Sequence, residues 1–329
     1  VPPICLIRAE TWPIRGSFRI ARGAKREAAV LVVEIRDGDH LGRGECVPYA
    51  RYGETLQSVQ AEIEAQFSAI ANGMGREALQ LSMKAGAARN ALDCALIDLE
   101  AKKKNIPAWR LLGLPEPRPF RTAFTLSLDA PALMAEAAAA AARRGHRLLK
   151  LKVAGAGDLE RVEAVRRAAP NAELIVDANE GWTLPELEDF APSLKSLGVA
   201  LIEQPLPAKQ DDDLQDFVSA VPLCADESCH TGADLPRIAA RYDAVNVKLD
   251  KAGGLTEALA LGLAAREIDL ALMVGCMLST SLAMAPALLL ASLAAYVDLD
   301  GPLLLERDRD PGLKYDGDLV HPAPAALWG

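Results

Sequence analysis

The apolar positions of this chain follow two rhythms, and the change falls near Phe120. Ahead of it, Ala28 to Ile35 is a dense run of β-favouring residues that stops at the turn signal Asp37-Gly38-Asp39. HLGRGEC then resumes as a short strand, so the pattern predicts a hairpin. Two helical stretches follow, from about Thr55 to Ala71 and from about Gly86 to Lys104. In the second, apolar residues recur at three and four, which buries one face. This is an α+β unit expected over residues 1–118, with the Pro-rich Gly113–Phe120 segment leading out of it.

Beyond Phe120, short apolar runs alternate with helix-like stretches of roughly 10–15 residues. The runs are TAFTLSL, RLLKLKV, AELIVDAN, GVALIEQP, VPLCADES, YDAVNVKLD, DLALMVGC and AAYVDLD. Repeated alternation implies a parallel sheet covered by helices. Eight units of this length predict an α/β fold with a closed (β/α) barrel over residues 119–309. The Pro/Gly-rich end, from about Asp310 to Gly329, is expected to pack back on the first unit.

Composition narrows the class of function. The 329 residues carry 36 Lys and Arg against 45 Asp and Glu, a net charge of −9, so no basic excess exists to neutralise phosphates. A nucleic-acid partner is therefore not expected. The six cysteines are scattered without a CxxC pair, which fits neither zinc nor a disulfide framework. VPPICLIRAETWPIRG shows no charged segment leading into a long apolar run, and no long uninterrupted apolar stretch follows. The expectation is a reduced, cytoplasmic enzyme with no membrane partner.

Ionisable residues end the apolar runs in a series: Lys150 and Lys152, Asp177, Glu203, Asp226, Lys248, then Asp298 and Asp300. Strand ends and the loops after them form the active site of such a barrel, so these groups converge. One Asp after a strand is commonly a cap or turn residue; a whole series of charged ends is not explained that way. Asp177, Glu203 and Asp226 fall on neighbouring strands and offer hard oxygen donors suited to Mg²⁺. Lys150 and Lys152, two apart, face the barrel interior together. Lys248 lies across the barrel from them. An interior lysine is costly unless paired or functional. Two lysines facing one point suit removal of a proton from one face of a carbon and its return to the other. The carbon would lie beside a carboxylate whose developing charge a cation stabilises. Asp298 and Asp300 would bind a cation such as a substrate α-ammonium, or else serve as turn residues before Gly301.

KLK at Lys150–Lys152, VDAN at Val176–Asn179, EQP at Glu203–Pro205, ADES at Ala225–Ser228 and KLDKAGG at Lys248–Gly254 resemble the muconate-lactonizing-enzyme-like branch of the enolase superfamily. GCMLSTS (Gly275–Ser281) and DLDGP (Asp298–Pro302) resemble the dipeptide epimerases within it. PYARYGE and GAARNALDCAL extend the resemblance into the first unit. It implies a modified (β/α)7β barrel of TIM type under an N-terminal α+β capping domain. It also implies Lys152 and Lys248 as the two bases, Lys150 steadying the substrate carboxylate, and Asn179 and Asp250 backing metal and base. Thr125 and Cys276 would line the substrate, although ordinary barrel packing explains them nearly as well.

The resemblance places side-chain selection in a first-domain loop, about Arg15–Arg26, which holds Arg15, Arg19, Arg22, Lys25 and Arg26. An arginine there could pair with the γ-carboxylate of a glutamyl residue; Arg22 is the first choice, with Arg26 and Lys25 close behind. The function expected is Mg²⁺-dependent epimerisation of L-Ala-D-Glu and L-Ala-L-Glu in cell-wall peptide recycling, by a chain whose relatives suggest a homo-oligomer. Two rivals stand beside it. One is a cycloisomerase or dehydratase on the same scaffold; the other is a non-catalytic metal- or peptide-binding barrel.

Overall fold

The computed structural model describes residues 2–329. Three antiparallel strands open the chain: β1 (Ile4–Ile20), β2 (Gly23–Asp37) and β3 (His40–Cys46), in that sheet order. The hydrophobic pattern anticipates β2 and β3 but not β1. That strand is an edge, interrupted by charges and Pro13, and only Ile14 along it is fully buried. Ile20 pairs with Gly23 across the two-residue turn Ala21-Arg22. The basic segment Arg15–Arg26 is thus the tip of a long hairpin and not a free loop.

Four helices follow in the cap, α1 (Leu56–Glu64), α2 (Phe67–Ala71), α3 (Arg76–Ser82) and α4 (Ala87–Lys104), and the short helix Ala108–Leu111 ends it. The single helix expected over Thr55–Ala71 is interrupted after Glu64. Thr55 caps α1 by accepting from the Ser58 amide. α4 lies directly on β3, and a Cβ on Gly42 or Gly44 would stand 2.1 Å from the carbonyl oxygen of Ala95 or Ala91. No side chain fits between them.

After β4 (Phe120–Arg121), eight parallel strands follow in unbroken neighbour order. They are β5 (Phe124–Leu126), β6 (Leu148–Lys152), β7 (Glu173–Asp177), β8 (Val199–Glu203), β9 (Leu223–Ala225), β10 (Ala244–Val247), β11 (Ala271–Gly275) and β12 (Tyr296–Asp298). The seam between first and last is closed by three amides. Ala123 donates to the Val297 carbonyl at 2.8 Å, Leu299 to Thr122 Oγ1 at 2.9 Å, and Thr125 to Asp300 Oδ2 at 2.6 Å. The result is the modified (β/α)7β barrel under an α+β cap. The connections after β8 and β9 depart from the expected long helices: they hold the 3-10 turn Asp211–Leu214 in the first, and the 3-10 turn Gly232–Asp234 with the short helix Leu235–Ile238 in the second.

Because strand residues alternate, the barrel interior is built in layers. Its lower layer takes one residue from each strand or its first step: Ala123, Leu148, Ile175, Leu201, Cys224, Ala244, Met273 and Tyr296. Two positions further on come Thr125, Lys150, Asp177, Glu203, Asp226, Asn246, Gly275 and Asp298. Apolar packing below gives way to chemistry above within one pleat.

α4 also fastens the cap to the barrel. Arg89 donates to the carbonyls of Ala252 and Gly253, Asn90 to Asp250 Oδ1, and Asp93 accepts from Thr256. Buried Glu45 accepts from Thr280 and from Arg309. At the chain's end, β13 (Tyr315–Asp316) and β14 (Leu319–Val320) form a small sheet with β4. The last residues reach α4, where Gly329 donates to Asp98 Oδ1 at 2.7 Å. Among the described residues, no helix is long and apolar enough to cross a membrane.

Candidate active site

A cavity of about 510 Å³ lies between the cap and the open end of the barrel. The cap contributes Phe18, Ile20, Arg22, Lys25, Tyr49 and Tyr52; the barrel contributes Lys152, Asn179, Asp226, Glu227, Lys248 and Cys276. Lys152 and Lys248, from opposite sides of the barrel, therefore face the same space. Lys150, Thr125, Asp298 and Asp300 are buried and stand outside its lining. Cys276 lies beside that acidic pair, and burial followed by the charges of Asp298 and Asp300 pushes its thiol well up.

The ionic network under the cavity is dense. Lys150 meets Asp177, Glu203 and Asp298 at 3.1, 2.7 and 2.8 Å. Lys152 pairs with Asp177 Oδ2, and Lys248 with Asp226 Oδ2, both at 2.5 Å. Burial would lower Lys150 and Lys248, but the adjoining carboxylates hold both well above the ordinary lysine range. For Glu203, burial and the neighbouring charge of Asp177 raise the carboxyl to about 7. Asp300 also rises to about 7, through burial and then Asp298.

Among the described residues, no trio of acidic, His or Cys side chains is gathered at ligand distance, because ammonium groups stand among the carboxylates. The donor set nonetheless fits a hard dication. Asp177, Glu203 and Asp226 end adjacent strands, all three are buried, and Glu203 Oε2 and Asp226 Oδ1 already face positive charge, the ammonium groups of Lys150 and Lys251, each at 2.7 Å. Three carboxylates crowded in a dry site favour positive charge between them.

Three supporting residues escape the reading of strand ends. Asn246, inside β10, donates to Glu203 Oε1 at 2.8 Å. Lys251 is fully buried and meets Asp226 Oδ1 at 2.7 Å and the Asn246 carbonyl at 3.0 Å. Gln204 accepts from the amides of Asp226 and Ser228 at 2.8 and 3.1 Å, fixing the loop after β9. Alternation along each strand could have exposed Asn246, which sits two residues before Lys248.

The structure corrects the role implied for Asp250. Its carboxylate turns to the cap, accepting from the Val47 amide and from Asn90, so it joins domains and does not back Lys248. Asn179 lines the cavity with an unpartnered Oδ1, and its amide donates to Asp177. Arg22 is at the cavity but already engaged. It donates to Glu227 Oε1 at 2.7 Å, Glu180 Oε2 at 3.1 Å, the Asn179 carbonyl and Tyr49 Oη. Lys25 lies over the Tyr49 ring at 5.3 Å and has no carboxylate partner among the described residues. Arg15, Arg19 and Arg26 stand outside the lining.

A capped, closed barrel with acidic strand ends and two cavity-facing ammonium groups is the architecture of an enzyme, with groups suited to moving protons. The chain belongs to the enolase superfamily: residues 5–113 match the mandelate racemase/muconate lactonizing enzyme N-terminal domain, and residues 132–322 the enolase C-terminal domain-like family. It is, by this kinship, an isomerase. It is 46% identical over 312 residues to L-Ala-D/L-Glu epimerase of Escherichia coli K12, covering 95% of this chain and 97% of the relative. It is also 46% identical over 302 residues to N-acetyl-D-glutamate racemase of a Pseudoalteromonas species, covering 91% and 95%. Among solved structures, an enolase family member from Agrobacterium tumefaciens with homology to dipeptide epimerases, holding sodium and L-Ala-L-Glu with an ordered loop, superposes with a TM-score of 0.97. That chain is 50% identical, with both covered completely. A dipeptide epimerase from Enterococcus faecalis V583, complexed with Mg and L-Leu-L-Tyr, gives a TM-score of 0.91 at 29% identity, with 99% of each chain covered.

Proposed function

We propose that this protein epimerises dipeptides at the α-carbon of the C-terminal residue, with L-Ala-D-Glu and L-Ala-L-Glu as its substrates. The observation that carries this reading is that Lys152 and Lys248 approach one cavity from opposite sides of the barrel. One ε-amine takes the α-proton from one face while the other ammonium delivers a proton to the opposite face. The electron pair left on carbon is delocalised into the adjoining carboxylate. Asp177, Glu203 and Asp226 would hold Mg²⁺, which when bound stabilises that charge. Lys150 holds the floor of the site together electrostatically and steadies the substrate carboxylate.

At the other end of the dipeptide, Asp298 and Asp300 receive the α-ammonium beside Cys276 and Thr125. Asp298 Oδ1 has no hydrogen-bond partner and is available for it. Lys25, unlike Arg22, brings an uncompensated positive charge to the cavity, so it reads the glutamyl γ-carboxylate. The substrate places the enzyme in the recycling of cell-wall peptides, in the cytoplasm.

A second reading is racemisation of an N-acylated glutamate, which lacks the α-ammonium. It is favoured by the state of the acidic pair, since Lys150 already neutralises Asp298 and Asp300 is raised to about 7. Both readings meet one experiment. Ala-Glu dipeptides and N-acetylglutamate are incubated separately with enzyme and Mg²⁺ in D₂O, and α-deuteration with inversion is followed by NMR. Exchange on the dipeptide at the higher kcat/KM supports the proposal; preference for N-acetylglutamate transfers it to the second reading. Lys152→Ala is expected to retain exchange from one epimer only, with epimerisation reduced on the order of a thousandfold.

A further inference from the structure

Glu180 joins three separate segments at the rim of the barrel. It follows Asn179 in a turn where both residues have positive φ, 47° and 69°, a conformation that non-glycine side chains disfavour. Its side chain is only 8% exposed, although it stands where cap and barrel meet. Oε2 accepts from Arg51 Nε at 2.7 Å and Arg22 at 3.1 Å; Oε1 accepts from Arg51 at 2.6 Å and the Ala208 amide at 2.9 Å. Arg22 forms the tip of the β1–β2 hairpin, and Arg51 sits in the Ala50–Tyr52 turn. These same two segments supply much of the cap's share of the cavity wall, including Ile20, Lys25, Tyr49 and Tyr52.

The two arginines depend on this carboxylate unequally. Arg22 also holds Glu227, whereas Glu180 is the one salt-bridge partner of Arg51 among the described residues. The Arg51 pair is bidentate and half-shielded, the geometry in which such a bond is strongest. Asp177, the last residue of β7, lies three residues before Glu180, which is on the loop that follows. Cap position is thereby referred to the chain segment that carries a catalytic-site carboxylate.

We propose that Glu180 is a positioning residue: through Arg51 and Arg22 it holds the hairpin and the Tyr49–Tyr52 segment over the cavity, and so sets substrate affinity without taking part in proton transfer. The inference rests on the cavity being the substrate site. Its first readout, however, requires no substrate. Hydrogen exchange of the intact protein is compared for wild type, Glu180→Gln, Arg51→Gln and the double variant. Residues 15–26 and 49–54 are expected to exchange on the order of tenfold faster in each variant, with the barrel strands unchanged. With Ala-Glu, KM rises on the order of tenfold while kcat stays within a few-fold. The double variant is no worse than Glu180→Gln alone, because that substitution already removes the Arg51 ion pair along with the one to Arg22.

Unchanged exchange in both segments overturns the proposal, as does a loss of kcat at constant KM or full additivity in the double variant. Arg51→Gln lies outside the strained turn, so it carries the test if Glu180→Gln folds poorly. Faster segment exchange without turnover of Ala-Glu would sustain the latch and count against the substrate assignment alone.

Discussion

The Asn246 amide donates to Glu203 Oε1 across 2.8 Å, in space that Gly275 on the adjoining strand leaves open. A Cβ at position 275 would stand 2.5 Å from Asn246 Oδ1. One barrel strand thus gives up its side chain so that the next can orient an acidic residue two strands further on. Gly275→Ala is expected to drive Asn246 off Glu203, costing about 1–3 kcal/mol of stability through overpacking. kcat should fall at least tenfold, on the order of the loss of one hydrogen bond to a charged group. Urea denaturation and steady-state kinetics check both; wild-type values in each would show that the contact is idle.

Lys25 is the cavity-facing cation of the cap that lacks an acidic partner, and this makes it separable from structure. Lys25→Met should raise KM for Ala-Glu about tenfold or more while leaving Ala-Ala or Ala-Leu unaffected or improved. Melting temperature should be unaltered, since the side chain is exposed. An equal loss on charged and apolar dipeptides would assign side-chain selection elsewhere.

Asp250 makes stability depend on pH. Burial, incompletely offset by the Val47 amide and Asn90, raises its carboxyl to about 7. Unfolded, the group titrates near about 3.9. Its protonated form is favoured by folding, so its contribution is complete below about pH 4 and is lost as pH rises through about 7. Asp250→Asn cannot ionise and retains an oxygen acceptor. Relative to wild type, its melting temperature should therefore climb steadily between pH 4 and pH 8. A difference that is flat across that range would mean Asp250 stays in one protonation state.

The barrel was legible because its grammar is local. Each apolar run ended in a group that had to point inward or outward, and Lys150, Asp177, Glu203 and Asp226 all fall on the inward phase. Asn246 obeys the same phase but carries no charge, so only the alternation two residues before Lys248 marks it. Lys251 was hidden differently. It sits on the short helix after β10, and only the closed barrel brings its ammonium beneath Asp226. β1 escaped notice because an edge strand facing solvent needs no regular apolar alternation. Arg22 lines the cavity, but the carboxylates that occupy it come from loops more than a hundred and fifty positions away. Linear sequence shows charge; it does not show which charges have already met.

The layering of the barrel interior has a consequence for how this protein tolerates change. On a given strand, the residue that packs and the carboxylate that faces the site are separated by one pleat: Ile175 and Asp177, Leu201 and Glu203, Cys224 and Asp226. Substitution at the lower position should reveal itself as poor folding in cells, and at the upper position as well-folded protein with altered turnover. A scan of adjacent inward positions would draw that border as a ring around the barrel, on one side of which variation is filtered by abundance and on the other by chemistry.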